Sequence, residues 1–148
     1  MSTNRIRTTA TPVEVFAVLS DPWKYADWVI GARRIRDADA NWPDVGARFH
    51  HALGAGPIEV KDFTEVTECE PPAHLVLRAA FRPAGEACVD LTLERGRELT
   101  LITLREWPVA GPVRRWRGRL LDVATHVRNT LALRRLRRLA ERIESPQE

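Results

Sequence analysis

The sequence predicts an α+β domain in which a curved, seven-stranded antiparallel sheet wraps around one long C-terminal helix. Three observations carry this reading. A capped helix start stands at Thr11-Pro12 with Glu14 three residues on; a period of two runs from Arg33 to Trp107, broken at intervals by turn residues; and a helical period returns after Pro112. At 148 residues the chain has the size of one domain, expected to span 1–144 with 145–148 as a tail.

Arg5 to Thr8 reads as a short first strand. Thr11 then supplies an N-cap, Pro12 a proline at the first helical position and Glu14 the partner of a capping box. Val13, Phe16, Ala17 and Leu19 are the expected apolar face of this helix. Ser20-Asp21-Pro22 stops it and caps a second short helix through Trp23, Tyr25 and Trp28, which ends at Gly31.

Turn signals at Asn41 to Gly46, Gly54 to Pro57, Glu70 to Ala73, Pro83 to Glu86 and Arg95 to Arg97 divide the next stretch into six strands. Val89, Leu91 and Leu93 alternate with Cys88, Asp90 and Thr92, giving one buried and one wetter face. Short loops make consecutive strands neighbours. Prolines 71, 72, 83, 108 and 112 are expected in connections, where a missing N–H breaks no ladder.

The last helix carries an expected apolar stripe of Val113, Trp116, Leu120, Ala124, Val127 and Leu131, continued by Leu133, Leu136, Ala140 and Ile143. Thirty residues span roughly 45 Å, more than a small sheet is wide, so its last turns are expected to fray. Only helix against sheet buries both apolar faces. A straight helix cannot follow a curved sheet everywhere, and the gap between them is the expected site for an apolar ligand.

Composition narrows the function classes. No run of 18 apolar residues is present, and the opening MSTNRIRTT is polar; a soluble, cytoplasmic protein is expected. Cys69 and Cys88 lie in strand-like runs without a CxxC spacing, so they read as reduced packing residues, with no metal or cofactor site. The net charge of +3 is uneven. Residues 1–111 hold 13 basic against 16 acidic residues, whereas 112–148 hold 10 arginines against 4 acids. The arginine-rich helix face is expected to be solvated, with an acyl carrier protein or an anionic surface as the partner it would suit. No aromatics interleave with those arginines, which argues against nucleic acid. The phosphate-loop pattern and the GxSxG signature are both absent.

The segment Thr11 to Gly31 (TPVEVFAVLSDPWKYADWVIG), the small-residue turn before ARFHH, the EPP turn at Glu70 to Pro72 before LVLRA and the closing helix resemble the START-like, or SRPBCC, superfamily, also called polyketide cyclase/dehydrase-like. The resemblance covers nearly the whole chain. It implies the helix-grip fold, with two short helices after the first strand and a cavity whose chemistry differs among lipid carriers, hormone receptors, aromatase/cyclases and chaperone activators. The longer catalytic domain and iron triad of the ring hydroxylases are not found.

Within such a cavity, strand parity selects candidates. His50 and His51 are adjacent in a strand and face opposite ways, so they cannot both bind one metal ion. His51 shares parity with Phe49 and Leu53 and is expected inside, either as a hydrogen-bonded core histidine or as a general base. Glu106 shares parity with Ile102 and Leu104; a bulge would exchange it with Arg105. If buried, it needs a partner. Asp62, in phase with Val60 and Thr64, is a third polar candidate, which also reads as an ordinary solvated acid. Tryptophans 23, 28, 42, 107 and 116 fall near the expected cavity mouth, where they either meet a flat ligand or anchor loops. The expected lining is therefore Trp28, Phe49, His51, Asp62, Leu91, Leu104, Glu106, Trp116 and Leu120, with His51 and Glu106 the catalytic candidates.

The leading expectation is a binding protein for an apolar lipid, isoprenoid or polyketide-like molecule. An aromatase/cyclase with His51 and Glu106 as acid and base is the alternative. A docking module acting through the basic helix is the third.

Overall fold

A computed structural model describes residues 2–115 and 119–144, save the side chains at 55, 113, 114, 119 and 144. The expected Trp116 contact and the tail at 145–148 lie outside the described residues. In chain order the elements are β1 (Ser2–Thr8), α1 (Pro12–Leu19), a 3-10 turn (Pro22–Lys24), α2 (Tyr25–Trp28), β2 (Ala32–Ala38), β3 (Arg48–Ala55), β4 (Ile58–Glu70), β5 (His74–Phe81), β6 (Gly85–Arg95), β7 (Thr100–Ala110), a second 3-10 turn (Pro112–Arg115) and α3 (Arg119–Glu144).

The capping box forms as its residue types require. Glu14 N–H donates to Thr11 Oγ1 at 3.2 Å, and Thr11 N–H donates back to Glu14 Oε1 at 3.1 Å. Asp21 Oδ1 accepts from Trp23 N–H at 3.0 Å and starts the 3-10 turn. The buried face of α1 is Val15, Phe16, Val18 and Leu19, whereas Val13 is 66 % exposed. The expected face was rotated, because an eight-residue helix with apolar side chains all round lets its packing against α3 decide which side is covered.

Every strand pair is antiparallel, in the order β1-β7-β6-β5-β4-β3-β2. Six strands follow in chain order, the last five of them joined by turns of two to four residues. The seventh, β1, closes the other edge by pairing with β7 from Ser2↔Glu106 to Thr8↔Thr100. Pro108 departs from expectation, lying inside β7 opposite Ala87. Beyond Glu106 β7 has no β1 partner among the described residues, so a proline there breaks no ladder that they form.

Helix α3 is fixed to β1 by polar side chains as well as by packing. Asn4 Nδ2 donates to the His126 carbonyl at 2.9 Å and to Thr130 Oγ1 at 2.8 Å, and Thr8 Oγ1 donates to Glu141 Oε1 at 2.8 Å. Asn4 and Thr8 are both buried, so these bonds satisfy groups that would otherwise be costly inside the protein.

Between those ties, Ala132, Leu133, Leu136 and Ala140 pack on Leu75, Leu91, Leu93 and Ile102 in one core. The N-terminal half of α3 behaves differently: Leu120 is 85 % exposed, and Val123, Val127 and Leu131 are also exposed. The expected stripe therefore holds only from Leu133 to Ala140, and Ile143 beyond it is exposed. Leu131 and Leu133 are separated by about 200° around a helix, so the two halves of that stripe point to opposite sides, and only the second meets the sheet. The helix length in excess of the sheet lies at the N-terminal end, while Ala140 near the C-terminal end is fully buried.

This division predicts opposite results from two similar substitutions. Leu136→Ala should destabilise by about 2–5 kcal/mol, whereas Leu120→Ala should change stability by less than about 0.5 kcal/mol, both measured by urea unfolding.

Candidate functional site

Where α3 and the concave face of the sheet part, they enclose a cavity of about 130 Å³. Alternation along the strands decides which side chains reach it. In β3, Phe49, His51 and Leu53 line it; in β7, Leu104 and Glu106 do. His50 faces the other way, its ring 6.2 Å from that of Phe63, and Arg105 is exposed. Residues from β4, β5 and β6 form the floor, among them Thr64, Leu77 and Val89, while Ala132 of α3 forms part of the roof. The end near β2 is closed by α2 and the turn after it, through Tyr25, Trp28, Val29 and Ile30.

That closing wall is held by an aromatic cluster. The Tyr25 ring lies 5.1 Å from Trp28 and 4.8 Å from Phe49, and Trp42 lies 4.7 Å from Phe49. Tyr25 Oη and Trp42 Nε1 both donate to the Leu19 carbonyl, at 2.8 Å and 3.1 Å. Burial, with a lesser contribution from Cys69, pushes the Tyr25 hydroxyl far above its ordinary value against the hydrogen-bonding effect of Trp42, so it stays a neutral donor. The five tryptophans thus divide: Trp42 anchors the loop, Trp28 lines the cavity, Trp23 is exposed, Trp107 is half-buried and Trp116 is outside the described residues.

Two polar clusters meet the cavity and differ in kind. At the α3 side, Glu106 Oε2 accepts from Arg128 and, at 2.9 Å, from Asn129 Nδ2. The carboxylate is charge-compensated where it stands. At the α2 side, Trp28 and His51 are 3 % and 2 % exposed, and Trp28 Nε1, His51 Nδ1 and His51 Nε2 have no hydrogen-bond partner among the described residues. Burial lowers the His51 pKa below the ordinary imidazole value of 6.5, with Arg36 and His50 acting in the same direction. The Phe63 backbone, which lies within reach of the imidazole, and the Asp62 charge oppose that fall, although neither ring nitrogen makes a hydrogen bond of ordinary geometry among the described residues. His51 is therefore neutral at pH 7, with one nitrogen a donor and the other an acceptor.

Three expected lining residues lie elsewhere. Asp62 is opposite His51 in the β3–β4 register, but its carboxylate turns to Arg82. It accepts from Arg82 N at 3.0 Å, Nε at 3.1 Å and Nη2 at 2.8 Å, and from Phe63 N at 3.0 Å. Burial alone would raise its pKa; these donors outweigh burial and hold it below the ordinary value. Asp62 thus secures the end of β5. Leu91 is fully buried in the packed core, and Leu120 projects from the uncovered half of α3. Conversely, Arg128 and Asn129 reach the cavity without having been expected there. Asn129 is in phase with Leu133, Leu136 and Ala140, so counting back from the covered half of the helix would have reached it.

His51 and Glu106 border the same cavity, yet they come from strands four steps apart in the sheet, and no hydrogen bond joins them among the described residues. Cys69 and Cys88 are free, and burial raises both thiol pKa values. Among the described residues no group of His, Cys, Asp and Glu could hold a metal ion, and no helix is long and apolar enough to cross a membrane.

Solved structures share this architecture. Protein NE0264 from Nitrosomonas europaea superposes with a TM-score of 0.74 at 14 % identity, over 97 % of this chain and 95 % of its own. CalU16 from Micromonospora echinospora gives 0.63 at 23 % identity, over 97 % and 75 %. StfQ, a di-domain ARO/CYC from the steffimycin biosynthetic pathway, gives 0.70 at 13 % identity, over 96 % of this chain and 50 % of StfQ. The chain shares their fold. No protein-family profile matches the sequence, and no curated protein does. The helix-grip-like α+β architecture expected from the sequence is therefore the one found, and the ARO/CYC protein StfQ is among the proteins that have it.

The state of His51 sets a pH dependence. With its pKa lowered on folding, the unfolded chain takes up a proton at this residue before the folded protein does. Stability should then fall as the pH drops below about 6.5 toward the folded-state value. In urea unfolding from pH 8 to pH 5, His51→Leu should lack this part of the decline, and parallel curves for the two proteins would show that His51 does not titrate in this way.

Proposed function

We propose that this protein is a START-like, SRPBCC-type binding protein that encloses a small apolar molecule between its sheet and α3. The observation that carries the reading is the cavity, about 130 Å³ walled by aliphatic and aromatic side chains with a few polar groups, as in most small-molecule sites. An engineered apolar cavity of about 150 Å³ holds one benzene, so the space suits a single ring or the ring end of a longer molecule.

Binding has more support than cyclisation. An aldol-type cyclase needs a base near the reacting carbon and a donor where the enolate forms. His51 offers a neutral nitrogen, but Glu106 is charge-compensated by Arg128 and hydrogen-bonded by Asn129, and among the described residues no carboxylate orients the imidazole. The resemblance to an ARO/CYC protein rests on the shared fold. The basic α3 face remains the weaker docking alternative, because its arginines 134, 135, 138 and 142 are exposed and solvated.

Calorimetric titration tests the binding reading. Toluene should bind with a Kd on the order of 1 mM or tighter, and Ala79→Phe, which directs a ring into the cavity from β5, should weaken it at least tenfold. Equal affinity in the two proteins would place the guest outside this cavity.

A further inference from the structure

The buried end of the cavity contains more hydrogen-bonding capacity than the described residues use. Trp28 Nε1 can only donate. A neutral imidazole donates at one nitrogen and accepts at the other. Together the three unpartnered atoms of Trp28 and His51 offer two donors and one acceptor. Both residues line the cavity, and both are almost completely buried. Buried polar groups in native proteins are nearly always paired, so three unpaired atoms on two residues that line one cavity call for a functional explanation.

From this arrangement we infer that the cavity takes a neutral hydroxylated ring, a phenol or ring alcohol, whose hydroxyl lies between the indole N–H of Trp28 and the imidazole of His51. The inference rests on the binding reading above and specifies the class of guest. A hydroxyl has one proton to give and two lone pairs, so it can donate to the bare imidazole nitrogen while accepting from the indole. A ketone only accepts and can serve only the donors of the set, whereas a hydroxyl can serve either kind. A plain hydrocarbon would leave all three atoms unpaired.

A carboxylate fits worse still. The cationic group at the cavity, Arg128, is bound to Glu106, and His51 is uncharged at neutral pH. An anionic head placed among Trp28, His51, Phe49 and Leu77 would be buried without a counter-charge. The recognition is therefore of a neutral hydroxyl on an apolar ring, and fatty acids and aromatic acids are excluded by the same arrangement.

The test uses three probes of one shape: toluene, 4-methylphenol and 4-methylbenzoate, titrated calorimetrically into the full chain at pH 7.5. The expected order is 4-methylphenol about tenfold tighter than toluene, with 4-methylbenzoate at least tenfold weaker than the phenol. Trp28→Phe and His51→Leu should each bring the ratio of phenol to toluene affinity to within about threefold of one. An apolar cavity without polar partners would reverse the order, since the phenol gives up water for nothing. Toluene binding as tightly as, or more tightly than, the phenol would thus overturn the inference and leave the binding reading standing. If none of the three binds, the binding reading itself fails. Should either variant fail to fold, the wild-type protein still decides: the indole N–H resonance of Trp28 should shift on adding 4-methylphenol and stay nearly fixed on adding toluene, and equal shifts would count against the hydroxyl contact.

Discussion

A straight helix laid against a curved sheet can touch it along only part of its length, and the structure follows from where that contact is made. Leu133, Leu136 and Ala140 carry the packing, and the ties from Asn4 and Thr8 fix α3 lengthwise on β1. Toward its N-terminus the helix leaves the floor of the sheet. The space that opens is the cavity, roofed in part by α3 and closed at the β2 end by α2 and the aromatic cluster. Sheet curvature, helix position and cavity are thus one arrangement, and moving α3 by a turn would change all three.

The polar groups around the cavity divide into those whose demands the protein meets and those it leaves open. Glu106 has a charged partner in Arg128, as Asp62, away from the cavity, has in Arg82, and both fix local structure. Trp28 and His51 have no partner among the described residues, although each is more deeply buried than Glu106. In a medium where an unmade hydrogen bond costs on the order of 1–3 kcal/mol, such a difference is a matter of function more than of stability. The lowered pKa of His51 belongs to the same account, since it keeps the cavity free of net charge at that end.

Much of the fold was legible in the residues because local rules act over short distances. The Thr11–Glu14 capping box, the turn residues and the alternation that places Phe49, His51, Leu104 and Glu106 inward each involve only a few neighbouring positions. The α3 face was not legible in the same way: Leu120, Val127 and Leu131 form a helical stripe as regular as Leu133, Leu136 and Ala140, and only tertiary packing decides which is covered. The fates of Asp62 and Leu91 were hidden for a related reason. Parity gives the side of the sheet, whereas Arg82 and the neighbouring core side chains decide whether the space in front is open or filled. That Trp28 and His51 have no hydrogen-bond partner among the described residues belongs to this class too, as a property of a whole wall that no spacing in the chain records.

The central claim is that an open, mostly apolar space persists between the sheet and α3, and xenon tests it most directly, because xenon enters apolar cavities without needing any particular chemistry. In crystals pressurised with xenon, the account predicts an ordered atom among Leu77, Phe49, Leu104 and Ala132, with little movement of those side chains. Side chains collapsed into that space, with no xenon beside them, would contradict it.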